Sequence, residues 1–282
     1  MESAKETTGS DAAREAPPQG AAGFTGTSKS LMRLKPSEDL KLDDSPFSIQ
    51  VWVKRARTRA DDTLVSQGEA GRLSGVSIGY SKEDTLEFEL GEGEELSLPG
   101  FGADGQKWIH LTATFEPESR TQTIFRNGGK IGSRVASGKI GEYTDADCMA
   151  LLTLEEQALA GACKKQNRLK GDILIGQRSN GKTGEQNPFK GSLDELRIWK
   201  QELDPVTVLE TFDVNIEHRS GLVGSYTFDD TSNLGMDKSG HGNQVNIAQD
   251  PWPDWGYWPV WPAWLRTWRQ YCPSVARWAY PG

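Results

Sequence analysis

Apolar and polar positions alternate along most of this chain in short runs, the two-residue period of a half-buried strand rather than the 3.6-residue period of a helix. In Phe47-Ser-Ile-Gln-Val-Trp-Val53 the rule places Phe47, Ile49, Val51 and Val53 on one face and Ser48, Gln50 and Trp52 on the other. Thr85-Leu-Glu-Phe-Glu-Leu90 buries Leu86, Phe88 and Leu90 and shows Glu87 and Glu89 to water. Further β-type runs are Ser30–Leu34, Leu64–Ser66, Gly75–Tyr80, Lys107–Phe115, Gly171–Gly176, Phe189–Trp199, Gly221–Phe228 and Val245–Ile247. Asn127-Gly128 tolerates positive φ at both central turn positions, so Thr121–Arg126 is predicted to hairpin back into Lys130–Val135. Asp194, Glu195 and Arg197 fall in one strand, which predicts an antiparallel or mixed sheet with one face solvated.

Four stretches depart from the pattern. Residues 1–23 are Ala, Gly, Pro, Ser and scattered charge, a composition that predicts a disordered leader. Residues 144–166 read as a helical insertion in which Thr153 and Glu156 have capping-box spacing. Leu203–Phe212 reads as one short helix with Asp204 as N-cap and Pro205 in its first turn. The segment 249–282 carries seven of the ten tryptophans, the first five spaced three residues apart among prolines, which is the period of polyproline II. Such a tail needs a surface, either the sandwich, a partner or a membrane interface, unless it is no native segment.

Composition narrows the function. A net charge of −8 and a pI near 5.1 repel phosphate backbones and argue against nucleic acid. Mean hydropathy is −0.61, and no run approaches the roughly 20 apolar residues of a spanning helix. Three cysteines, Cys148, Cys163 and Cys272, are too few for a disulfide framework and lack zinc spacing, so they are expected to be free thiols. The first residues have no apolar core of a signal peptide, and localisation stays open.

Taken in order, Phe47–Lys54, Trp108–Phe115, the turn Arg126-Asn-Gly128, Ile173–Gly176 and Phe189–Trp199 resemble the LamG-like jellyroll domain, kin to laminin G, pentraxins and concanavalin A-like lectins. The resemblance covers residues 24–248. It implies an all-β fold of two antiparallel sheets packed face to face, as the alternation does independently. In the family, a strand like Leu222–Phe228 with an Asp-x-Ser-Gly-x-Gly-Asn loop usually comes first, whereas here it comes last. The expectation is that residues 222–228 fold back to complete the sandwich rather than begin a second repeat, because an open edge costs more than a longer connection.

Candidate chemistry is sparse. The Glu-x-Asp-x-x-Glu motif of related β-glucanases is not found, and Asp194 and Glu195 are adjacent, so they leave opposite faces of a strand. Asp194 is expected to hold neighbouring backbone and Glu195 to be solvated. His110 is expected to be a packed side chain, and no catalytic residue is assigned. In Asp237-Lys-Ser-Gly-His-Gly-Asn243, Asp237 and Asn243 with bent backbone carbonyls suit Ca²⁺, a cation that related domains often bind near this loop; equally, these residues simply make a good turn. The run Glu83, Asp84, Glu87, Glu89, Glu92, Glu94, Glu95 is a solvated rim or a docking face for a basic partner. Trp52 is a covered strand residue or, if exposed, a sugar-stacking platform. The function expected is a non-catalytic module binding glycan or protein through its loops, with calcium as the candidate cofactor. The alternative is a structural subunit docked through the sandwich and the Trp-rich tail, with an enzyme third.

Overall fold

The computed structural model of the chain describes residues 20–35, 37–42, 45–68, 75–91, 94–137, 172–179, 185–249 and 252–253. In chain order the strands are β1 (Ala22–Thr25), β2 (Leu31–Leu34), β3 (Phe47–Arg55), β4 (Asp62–Gln67), β5 (Val76–Tyr80), β6 (Leu86–Leu90), β7 (Glu95–Leu98), β8 (Trp108–Glu116), β9 (Thr121–Arg126) and β10 (Gly129–Val135). They continue with β11 (Ile173–Ile175), β12 (Arg178–Ser179), β13 (Glu185–Gln186) and β14 (Lys190–Trp199). Helix α1 (Pro205–Thr211) follows, then β15 (Leu222–Tyr226), β16 (Val245–Gln249) and β17 (Trp252–Pro253).

The first sheet runs β10-β9-β8-β3-β14-β1-β17, with β15 also on β14, and the second runs β16-β2-β11-β4-β5-β6-β7. All ladders between these strands are antiparallel, which makes the protein the two-sheet sandwich that alternation predicts. Phe47, Ile49, Val51 and Val53 of β3 meet Phe88 and Leu90 of β6 and Ile173 and Ile175 of β11 in one apolar core. Burial of each such side chain is worth about 1.5–3 kcal/mol, and the inward set is nearly continuous, so the core fixes the register of both sheets.

Chain closure falls to the late segment. β15 pairs with the C-terminal half of β14 (Leu196↔Tyr226, Ile198↔Gly224), and β16 pairs with β2 (Val245↔Leu34). β1 takes the other half of the same β14 edge, Ala22↔Leu193 to Thr25↔Lys190. It begins at Ala22, inside the stretch read as a leader, because an unpaired strand edge recruits backbone whatever its composition. Trp252 and Pro253 pair through their backbone with Gly23 and Ala22. The remainder of the tail, the insertion at 144–166 and all three cysteines lie outside the described residues.

Two local devices follow from the residues. Asn127 and Gly128 take φ of 48° and 80°, the left-handed pair of a tight hairpin, and join β9 to β10 as the dipeptide predicts. In β14 strict alternation fails, since Leu193 and Leu196 both have to reach the core. A bulge resolves it: between Asp194↔Trp52 and Arg197↔Gln50 an extra residue enters, and Glu195 adopts φ 49°. Leu193, Leu196 and Ile198 then all join the core.

Candidate functional site

The outer faces of the two sheets differ. On the first sheet Ser48, Gln50, Trp52, His110 and Trp199 are all buried although the core lies on the opposite side. Their cover is α1 and its flanks. Asp204 caps the helix by accepting from the backbone amides of Val206 (2.9 Å) and Thr207 (3.0 Å), and Pro205 opens it, as the sequence predicts. Val208 then packs with Phe125, Trp199, Leu203 and Leu222 in a second, smaller apolar cluster. Phe212 stands 6.5 Å from the Trp52 ring and 5.8 Å from His110.

Gln50 and Arg197, under this cover, are hydrogen-bonded to Thr211 of the helix. The Gln50 amide donates to Thr211 Oγ1 (2.9 Å) and accepts from Trp199 Nε1 (3.0 Å). Arg197 donates to the carbonyls of Thr211 (2.8 Å) and Val214 (2.5 Å) and to Glu195 Oε2 (2.5 Å). The face expected to be solvated is therefore closed. Glu195, expected in water, is 3% exposed and ion-paired, because the bulge turns it toward Arg197. Asp194 does hold backbone, accepting from the Glu195 amide (2.8 Å). Burial, with Glu195 beside it, pushes its pKa up to about 9. Burial and then the Arg197 charge hold His110 well below the ordinary histidine range, so it is the packed neutral ring expected. Trp52, 1% exposed, is covered and is no sugar platform.

On the second sheet α1 has no counterpart among the described residues. Its outer face along β5, β6 and β7 carries small and hydrogen-bonding side chains in cross-strand rows: Ser77, Glu89 and Glu95 in one, Gly79, Glu87 and Ser97 in the next. Glu95 and Ser97 are exposed, and Glu87 is half-buried. Arg178 Nη2 reaches Glu89 Oε1 at 2.7 Å, and Ser97 donates to Glu95. Glu89 and Glu95 are directly opposed, a pairing of like charges that costs stability. Partial burial, and then the Glu95 charge, push Glu87 up to about 7; partial burial followed by the Glu89 charge raises Glu95.

The acidic run is thus no single docking face. Asp84 accepts from Arg55 (2.9 Å), and Glu94 accepts from Ser137 and pairs with Arg134 (3.2 Å), leaving Glu87, Glu89 and Glu95 on the sheet. Glu92 lies outside the described residues. Sequence alternation marked Glu87 and Glu89 as outward. Glu95 was read only as part of the acidic run, and Ser77 and Arg178 were missed, because only strand pairing and folding bring them alongside.

The Asp237–Asn243 loop is built around one carboxylate. Asp237 Oδ1 accepts from the amides of Ser225 (3.0 Å) and Ser239 (2.9 Å), and Oδ2 accepts from Ser239 Oγ (2.9 Å) and the Asn243 amide (2.8 Å). Asn243 Nδ2 donates to the Val223 carbonyl (2.7 Å), and Tyr226 donates to the Asn243 carbonyl (2.7 Å). The two residues proposed as calcium ligands are therefore brought together, but as the clasp between the loop and β15. Asp230 accepts from Ser232 and organises its own turn. Among the described residues no three His, Cys, Asp or Glu side chains are gathered as a metal-holding group. His218 contacts the Ser239 carbonyl (3.0 Å), and His241 lies 3.5 Å from Asp39.

Residues 27–151 match a laminin G-type family model described as the concanavalin A-like lectin/glucanases superfamily. No curated protein matches the sequence. Among solved structures, a candidate carbohydrate binding protein from Bacteroides ovatus ATCC 8483 aligns with a TM-score of 0.55 at 18% identity. That alignment covers 82% of this chain but 59% of the other, so this chain spans less than two thirds of its length. The heptameric SAP-like pentraxin of Limulus polyphemus aligns at 14% identity and a TM-score of 0.45, over 69% of this chain and 82% of that one. The CBM40 of the Ruminococcus gnavus IT-sialidase gives 14% identity and a TM-score of 0.48, over 69% and 97%. Strand order and core give the described residues the two-sheet jellyroll fold of the concanavalin A-like type, and the family match lies within it over residues 27–151.

Proposed function

We propose that this chain is a non-catalytic binding module that recognises a neutral glycan on the outer face of β5, β6 and β7. One observation carries the reading: the first sheet's outer face is closed by α1, while on the second, among the described residues, no helix lies over the rows in which Glu95 and Ser97 are exposed and Glu87 and Glu89 half-buried. Carboxylates accept hydrogen bonds from sugar hydroxyls, and Ser77, Gly79 and Ser97 let a ring approach the sheet. The surplus of carboxylates, Glu87, Glu89, Glu94 and Glu95 against Arg134 and Arg178, disfavours uronic or sialic acids by like-charge repulsion. The fold it shares with the Bacteroides ovatus structure is compatible with this use but does not assign it. The site sits on a sheet face rather than in the loops. Calcium is not part of the proposal, since Asp237 already has four internal donors.

Titration calorimetry with neutral oligosaccharides tests it. Loss of a carboxylate that accepts from a bound ligand costs about 1.5–3 kcal/mol, tenfold or more in Kd, so Glu87→Ala with Glu95→Ala should weaken binding at least that far. Failure of the wild-type protein to bind any neutral glycan, or equal binding by the double variant, overturns the assignment; hydrolysis of a β-glucan overturns its non-catalytic part. A structural subunit is the second reading. It rests on Val206 and Leu209, which are exposed on the outward side of α1 at 65% and 60%. Recovery of the protein in a complex of fixed stoichiometry, lost in Leu209→Asp, would favour it.

A further inference from the structure

Arg55 ends β3 pointing into the space between the sheets, where an arginine is not expected, and it is 1% exposed. Its guanidinium lies over the Tyr80 ring, Cζ 4.0 Å from the centroid, and Nη2 donates to Asp84 Oδ1 (2.9 Å). Asp62, equally buried, receives Arg57 Nε (3.0 Å) and Nη2 (2.8 Å) on Oδ1. Four polar positions remain without a partner among the described residues: Arg55 Nε and Nη1, Asp62 Oδ2 and the Tyr80 hydroxyl. Each such group costs about 1–3 kcal/mol if left unpaired, more when charged. Nη2 of Arg55 is 4.0 Å from Asp62 Oδ2, too long for a direct hydrogen bond and the span that one bridging oxygen covers.

We propose that Arg55, Asp62 and Tyr80 enclose an internal water site at this end of the sandwich, with at least one ordered water bridging the Arg55 guanidinium and Asp62 Oδ2. The chemistry selects water over other occupants. Arg55 supplies donors only, Asp62 Oδ2 is an acceptor and Tyr80 is both, so the occupant has to donate and accept. Arg55 and Arg57 are balanced by Asp62 and Asp84, and the neighbouring Arg126 by Asp104 (2.8 Å), so no net charge calls for an ion. Burial raises both the Asp62 carboxyl and the Tyr80 hydroxyl, consistent with a dry surround in which a bound water satisfies these groups. Such a site joins β3 of the first sheet to β4 and β5 of the second.

A crystal structure of the unmodified chain at about 1.5 Å tests the inference. The expected result is a well-ordered water within about 3.2 Å of both Asp62 Oδ2 and an Arg55 nitrogen. Direct pairing of Arg55 with Asp62 Oδ2 and no solvent between them overturns it, and so does an ion in that place. In solution, water-to-amide Overhauser transfer near Thr63 and Ser81 should report a long-lived water. Its disappearance in Arg55→Met with the fold retained supports the site, and its persistence overturns the role of Arg55.

Discussion

The outward faces of β3 and β6 carry comparable fractions of polar residues, yet one is interior and the other is surface. On β3 the outward set is Ser48, Gln50 and Trp52; on β6 it is Glu87 and Glu89. What separates them is a seven-residue helix placed 150 residues later, whose Thr211 hydroxyl and carbonyl accept from Gln50 of β3 and Arg197 of β14. Under α1 Arg197 and Glu195 are paired and desolvated; on the second sheet Glu89 and Glu95 oppose each other, with Arg178 on Glu89 and Glu95 exposed. The lesson is that a strand's alternation tells which side chains turn away from the core, but the partner in space decides whether away means outside.

That contrast can be broken from the covered side first. Arg197→Ala leaves Glu195 buried without its cation and frees two carbonyls, so urea denaturation should show a loss of about 3–5 kcal/mol. Trp52→Ala removes a buried ring and should cost a similar 3–5 kcal/mol by the same measurement. If either variant matches wild type, the cover does not contribute as described.

Asp194 sharpens the comparison through pH. Its folded carboxyl holds a proton up to about pH 9, whereas an unfolded aspartate releases it near 4. Between those values the native state binds more protons, so stability should fall as pH rises from about 4 to about 9. Asp194→Asn should flatten that part of a Tm-against-pH curve. An unchanged slope would mean that Asp194 is ionised in the fold.

Two smaller effects follow. Asp237→Ala strips four hydrogen bonds from its loop and should cost about 1–3 kcal/mol whether or not calcium is added; a calcium-dependent rise in Tm that the variant loses would restore the cation. On the second sheet Glu95→Gln relieves the opposed pair with Glu89 and should gain about 0.2–1 kcal/mol at pH 8, a sign opposite to Arg197→Ala and Trp52→Ala.

Much of the sandwich was legible because its signals are local. The alternation of β3, β6 and β8, the Asn127-Gly128 hairpin and the Asp204-Pro205 helix start each depend on neighbours in sequence. The errors share a different cause. Glu195 was placed in water because a regular strand would have put it there, and a one-residue bulge is invisible to polarity alone. Trp52 was left undecided because its cover, Phe212, is 160 positions away in the chain. The row of Ser77, Glu89 and Glu95 exists only through pairing. Asp237 with Asn243 reads equally as a turn or a cation bowl in sequence, because turn-makers and oxygen ligands are the same residue types.

The edge of β14 is divided end to end between β1 near the start of the chain and β15 near its close. At a synthesis rate of about 5–20 residues per second, Ala22 leaves the ribosome roughly ten to thirty seconds before Leu193, its partner, is made. During that interval the half-built first sheet is a nascent chain with sticky edges, and assembly ends only when residues beyond 221 emerge. A chain halted before that point leaves exposed the apolar side chains that the finished sandwich buries.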